Sequence, residues 1–265
     1  GNALKDKGEV EAAIDSFKKA LAIKPDFEEA HAQKLHQQAQ LCDWTAIPED
    51  HENISELGTL AQHINPFALL ATEDAPERHR LRSKLYSESK FKRQPLSLHQ
   101  KPETKPDRLR IGYFSADFKI HAVMFSLIGT LERHNPELFE IYAYSFGPEC
   151  NDEMRQRTVK AVDVFVDVKD MGDRDIALRA RQDKIDIAID LSGYTKNSRT
   201  GIFAYRAAPI QINYLGYPGT MGANFIDYII ADKVVIPEKH EPSYNENIIH
   251  LPYSYQVNDN TRVIS

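Results

Sequence analysis

The stretch most able to bring bare backbone against a ligand is "INYLGYPGTMGANFIDYIIAD", residues 212–232, where Gly216, Gly219 and Gly222 recur at intervals of three. The chain holds only 12 glycines in 265 residues, so three directly after a β-branched run mark a special stretch of backbone. Pro218 and Gly219 suit the second and third positions of a type II turn, whose third residue needs positive φ. Gly216 and Gly222 lack a Cβ, which lets backbone amides come close to a ligand. The plain alternative is a tight turn that only joins a strand to a helix. Two polar loops, "SADFKIH" (115–121) and "SGYTKN" (192–197), also follow apolar runs. Neither GxGxxG nor GxxxxGK[ST] is present, which argues against a dinucleotide oxidoreductase and a P-loop NTPase. His31, His36, His51, His63 and His79 fall in no HExxH and have no Cys/His partner at ligand spacing, so they read as scattered surface histidines rather than a metal site. The carboxylates of "VFVDVKDMGDRD" likewise lack ligand spacing and read as a solvated edge.

The elements that must position these loops begin at Leu109. "LRIGYFS", "FEIYAYSF", "VFVDV", "IDIAIDLSG", "IQINYLG", "DYIIAD" and "NIIHLP" read as strands. "HAVMFSLIGTLERH", "NDEMRQRTVKAV" and "DRDIALRARQDK" between them read as helices. Strands alternating with helices predict an α/β fold with a mainly parallel sheet covered on both faces. Ligands in such folds sit beyond the carboxyl ends of the strands, where the three loops converge.

The first third differs. "GNALKDKGEVEAAIDSFKKALAIKPDF" reads as a helix, a turn at Gly8 and a second helix stopped by Pro25. Ala13, Phe17 and Ala20 share one face of that second helix. The pattern resembles a tetratricopeptide repeat, and it predicts that the chain starts inside one, with more repeats before Gly1. A generic amphipathic hairpin is the other reading. The expected organisation is the end of a repeat array at 1–34, a helical connector and linker at 35–107 and an α/β lobe at 108–265.

Composition sets outer bounds. With 42% apolar and 27% charged residues the chain reads as globular, with no run of membrane-spanning length. A formal net charge of -6 gives no basic face for nucleic acid. Cys42 and Cys150 lie far apart, in keeping with a reducing, cytoplasmic setting.

Taken in order, the repeat, "CDWT" (42–45), "LRIGYFSADFKIH", "LSGYTKN", "RAAPIQINYLGYPGTMG" and "DYIIAD" resemble the protein O-linked N-acetylglucosamine transferases and their SPINDLY-type relatives. The resemblance runs along essentially the whole chain, and the LGYPGT block is its most specific part. It implies an inverting GT-B glycosyltransferase that moves N-acetylglucosamine from UDP-GlcNAc to Ser/Thr hydroxyls of proteins without a metal. In such an enzyme a protein or peptide is the acceptor, and nucleic acid and membrane are not partners. This chain would supply the Rossmann-like first lobe, while a second lobe would make most nucleotide contacts.

By the same resemblance, Asp117 and His121 lie beside sugar and acceptor, Tyr194 lies at the sugar end of the cleft, and Leu215 and Gly216 offer backbone contacts. Pro218, Gly219 and Thr220 continue that wall. Ala122 and Val123 depart from the Pro and Thr of animal enzymes, and Phe67 stands where those enzymes have a second histidine. His121 is a candidate base with Asp117 orienting it or relaying the proton. A competing mechanism sends the proton to the leaving phosphate. A third reading has Asp117 cap the following helix and His121 play no catalytic part. Two other functions stay open: a binding module without catalysis, and a GDP-fucose transferase of SPINDLY type, whose members tend to carry His where Tyr194 stands here.

Overall fold

The computed structural model describes residues 1–44, 53–60, 63–91, 96 and 106–262. Thr45, His51 and most of the proline-rich stretch at 94–108 lie outside the described residues. The chain divides into two compact units, Gly1–Lys90 and Phe91–Ser265.

In the first unit, α1 (Asn2–Asp6) and α2 (Val10–Ile23) meet at Gly8, whose φ of +80° is left-handed. Ala13 and Phe17 are buried with Ala30 of α3 (Glu28–Gln40), and Leu4, Ala20 and Leu21 pack on this cluster. A second cluster joins Ala32 and Leu35 to Ile54, Leu57, Ile64 and Leu69. The helix α4 (Pro76–Lys90) sends Arg82 into the interior with no exposed surface. There Arg82 Nε donates to the Leu57 carbonyl at 2.7 Å, while its two terminal nitrogens reach the Ile54 carbonyl and Glu73. A buried loop needs such donors for its carbonyls. The described histidines of this unit are half-buried, not surface groups. His31 and His79 hold the carbonyls of Pro25 and Glu73, and His36 lies 5.6 Å from the Phe67 ring. The imidazoles of His31, His36 and His79 are thus spent on local structure.

The second unit is one sheet of seven strands: β1 (Leu109–Ser115), β2 (Phe139–Ser145), β3 (Val164–Asp167), β4 (Ile187–Asp190), β5 (Ile210–Asn213), β6 (Tyr228–Ala231) and β7 (Asn247–His250). Their order is β3-β2-β1-β4-β5-β6-β7, and every adjacent pair is parallel. Each strand lies where its β-branched and aromatic run predicts, and the inner strands β1, β2, β4 and β5 are mostly buried. The helices α5 (Ala122–Leu131), α6 (Glu153–Ala161), α7 (Asp173–Gln182) and the single turn α8 (Gly201–Ala204) make crossovers. Between β5 and β6 there is no helix among the described residues, so the glycine stretch is not a strand-to-helix turn.

One face of the sheet packs Ile111, Tyr113, Ile141, Ile189 and Ile212 against Met124, Leu127, Ile128 and Leu131 of α5. On the other face Phe114 stacks on Tyr144 at 4.5 Å and meets Phe203 edge-on at 5.4 Å. Because all strands run one way, every carboxyl end lies on one edge. Chain direction across the sheet reverses between β1 and β4, the switch point at which such folds bind ligands. Among the described residues no helix is long and apolar enough to cross a membrane.

Candidate active site

At the end of β1 the Ser115 hydroxyl accepts the Asp117 amide hydrogen at 2.9 Å, and the Lys119 amide donates to the Asp117 carbonyl at 2.7 Å. Phe118 is buried and pins this loop to the core, leaving Asp117 and His121 partly open. His121 is the N-cap of α5, with extended backbone and its Nδ1 accepting the Val123 amide hydrogen at 3.3 Å. The cap thus falls to His121, not to Asp117, because the helix begins five residues after the carboxylate. With Nδ1 serving as acceptor, neutral His121 carries its ring proton on Nε2. Asp117 Oδ2 stands 3.8 Å from His121 Nδ1 and Asp117 Oδ1 stands 3.8 Å from Lys119 Nζ, both too long for hydrogen bonds.

The loop after β4 is built on Asp190, the strand's last residue and only 1% exposed. Its Oδ1 accepts the amides of Ser192 and Gly193, while Oδ2 is buried with no hydrogen-bond partner among the described residues. Burial pushes this carboxyl up to about 7, against those two amides, which pull it down. Tyr194 is buried, and its hydroxyl donates to the Met221 carbonyl at 2.7 Å. Its ring meets Tyr217 edge-on at 5.5 Å. In this arrangement Tyr194 supports the glycine loop from beneath.

The loop after β5 departs from the expected turn. Gly219 does not have positive φ; the left-handed residues are Leu215 (φ 72°) and Gly222 (φ 57°). The Gly216 amide donates to the Tyr214 carbonyl at 2.9 Å, so Leu215 centres a three-residue γ-turn with positive φ. A side chain held there costs roughly 1–3 kcal/mol and signals a functional or over-determined site. Gly216 packs on the Leu191 carbonyl: a Cβ would stand 2.1 Å from that oxygen. Its missing side chain is used for joining the β4 and β5 loops. Pro218 is half-buried and its carbonyl accepts from the Tyr244 hydroxyl, whereas Gly219 and Thr220 are buried.

Two residues that the sequence does not mark hold this loop in place. Glu246, just before β7, accepts the Thr220 hydroxyl and the Met221 amide at 2.6 Å each. Asn213 Nδ2 donates to the Tyr217 carbonyl at 2.9 Å. Glu246 belongs to a short polar run, "NEN", with nothing local to show that it reaches 25 residues back. Desolvation raises its pKa above the ordinary glutamate range.

The strand order places the loops after β1, β4 and β5 side by side. Asp117 and His121 share the first, Tyr194 lies in the second, and Leu215, Gly216, Pro218, Gly219 and Thr220 lie in the third. Such an edge offers a carboxylate, an imidazole N–H and half-buried backbone to one ligand. Among the described residues no three His, Cys, Asp or Glu side chains are grouped to hold a metal ion.

Comparison with known proteins gives this edge a lineage. Residues 82–265 match the model of glycosyl transferase family 41, and residues 1–33 match a TPR repeat. Over 165 residues the chain is 43% identical to the Arabidopsis thaliana probable UDP-N-acetylglucosamine–peptide N-acetylglucosaminyltransferase SEC, covering 62% of this chain and 17% of that protein. The Caenorhabditis elegans UDP-N-acetylglucosamine–peptide N-acetylglucosaminyltransferase is 34% identical over 158 residues, 59% of this chain and 14% of that one. A solved structure of a mutant Thermobaculum terrenum O-GlcNAc transferase superposes with a TM-score of 0.69 at 26% identity, covering 97% of this chain and 44% of the other. The chain therefore matches only a small part of the length of its curated relatives. With the family model spanning most of the chain and the relatives agreeing with it, the chain belongs to glycosyl transferase family 41.

Proposed function

We propose that this chain forms the acceptor-side lobe of an inverting glycosyltransferase that moves N-acetylglucosamine from UDP-GlcNAc to Ser or Thr hydroxyls of proteins in the cytoplasm. The observation that carries this reading is Asp117 and His121 lying partly open on the loop at the β1/β4 switch point, on the same sheet edge as the half-buried Leu215, Gly216 and Pro218 two loops away. A second lobe outside residues 1–265 supplies most nucleotide and diphosphate contacts.

In the reaction the acceptor oxygen bonds to the anomeric carbon, the bond from that carbon to the diphosphate breaks, and its electron pair leaves on UDP. The hydroxyl proton must pass to a base, and the developing charge needs donors. The neutral tautomer of His121 has no free lone pair, since Nδ1 holds the Val123 amide. It serves best as an Nε2–H donor that fixes an oxygen of donor or acceptor. Asp117, with no full hydrogen bond from Lys119 or His121, is the better acceptor for the departing proton. The buried Tyr194 acts by setting the height of the glycine loop.

The test is transfer to a peptide pool by the full-length protein, with UDP-GlcNAc and GDP-fucose as separate donors. Transfer from UDP-GlcNAc that survives EDTA and falls on Asp117→Asn and His121→Ala is expected. Transfer from GDP-fucose alone would reassign the donor, and no transfer from either by folded protein would leave a binding module.

A further inference from the structure

The geometry points to Asp152 as the positioning residue that sets His121 in place. Asp152 lies 32 positions from Ile120 in sequence, beyond β2, yet its Oδ2 accepts the Ile120 amide hydrogen at 2.9 Å. Its other oxygen accepts the Arg155 amide at 2.8 Å, which makes Asp152 the N-cap of α6. One carboxylate thus closes a helix and tethers the residue next to His121. Burial alone would raise its pKa, but amide hydrogens from Ile120, Arg155 and Met154 outweigh this and hold it below the usual range.

The tether has rigid backing. Arg155 donates to the Ser145 hydroxyl at 2.6 Å, reaches Asp167 at 3.2 Å and lies 4.3 Å over the Phe165 ring. The first turn of α6 is therefore pinned to the ends of β2 and β3. Phe118 meets that same Phe165 ring edge-on at 6.0 Å. The Ile120 side chain is half exposed, so the loop is held there by its amide and not by packing. Between Phe118 and the Val123 amide, the Asp152 bond fixes the backbone that aims the imidazole.

This inference rests on His121 acting in transfer as proposed above. The experiment uses the full-length protein with Asp152→Asn and Asp152→Ser. Both residues are good N-caps, so α6 is kept. Asn turns an NH2 toward the Ile120 amide, and Ser cannot reach it while capping. The expected result is faster hydrogen exchange at 117–123 with kcat down on the order of tenfold and the donor KM within about twofold, since small misplacement of a reacting group costs rate more than binding. Adding Asp152→Asn to His121→Ala should change that variant's residual rate less than about twofold, because two residues acting as one unit are not additive. Wild-type kcat despite faster exchange, unchanged exchange, or an undiminished loss in the His121→Ala background would each overturn the inference. A His121→Ala enzyme as fast as wild type would overturn the proposed role of His121 and this inference together. Intact His121 dependence without an Asp152 effect would overturn this inference alone.

Discussion

The α-carbon of Gly216 is packed so closely on the carbonyl of Leu191 that any side chain at 216 would collide with backbone, its Cβ 2.1 Å from the oxygen. The contact joins the loop after β4 to the loop after β5. Backbone cannot swing away as a side-chain tip can. Gly216→Ala should therefore cost about 1–3 kcal/mol of overpacking, more than Gly219→Ala, whose Cβ would meet only the Tyr217 ring at 2.9 Å. Urea unfolding of both variants checks the order, and equal costs would contradict the packing account.

Asp190 predicts a pH dependence. Its folded-state pKa, about 7, lies above the ordinary aspartate value of 3.8, so the folded chain binds this proton more tightly than the unfolded chain does. The contribution is fully present below pH 4 and is lost as pH rises through 7. Its size is up to about 4 kcal/mol. Asp190→Asn keeps an acceptor for the Ser192 and Gly193 amides and removes the titration. The variant should gain stability relative to wild type between pH 4.5 and pH 8, measured by chemical denaturation at both ends. A difference that does not change with pH would contradict this.

Tyr194→Phe deletes the hydroxyl that holds the Met221 carbonyl. Leaving a buried carbonyl without its donor costs roughly 1–3 kcal/mol. If Tyr194 acts only through the glycine loop, restoring stability with a stabilising second change elsewhere should restore transfer too. A lasting rise in the KM for UDP-GlcNAc at wild-type stability would show direct contact with the sugar instead.

Arg82 is a fully buried charge of the first unit. Arg82→Met leaves the carbonyls of Ile54 and Leu57 without their donor and leaves Glu73 paired with Arg78 alone. A buried carbonyl left without its donor costs about 1–3 kcal/mol. A thermal melt of the variant should show the loss, and a shift below about 1 kcal/mol would mean the pocket admits water.

Much of this architecture is legible from residue types. The runs "LRIGYFS" and "IDIAID" are apolar on both faces, as central parallel strands must be. Gly8, Phe17 and Pro25 mark the helical hairpin because turn, packing and stop are local properties. The loops beside the switch point follow from strand order alone. The turn chemistry at Pro218 does not, because the positive φ falls on Leu215, where a γ-turn is enforced by Leu191 and Glu246 from elsewhere in the chain. Asp152 and Glu246 escape for the same reason: each acts on backbone 32 or 25 residues away, and a carboxylate gives no local sign of a distant amide. His121 is found by its type, but its tautomer is set by the amide two residues on.

The strand order has a consequence for how the lobe comes off the ribosome. β1 is synthesised first of the seven and ends inside the sheet, with β2 on one side and β4 on the other. Its first neighbour arrives early, but the contact of Arg110 with Asp186 spans 76 residues. Until β4 emerges, one side of β1 is an open, apolar edge of the kind that pairs with other nascent chains. A lobe wound outward from β1 in this way makes β4 the strand that closes the open side of β1, and pausing or truncation before it leaves that edge unpaired.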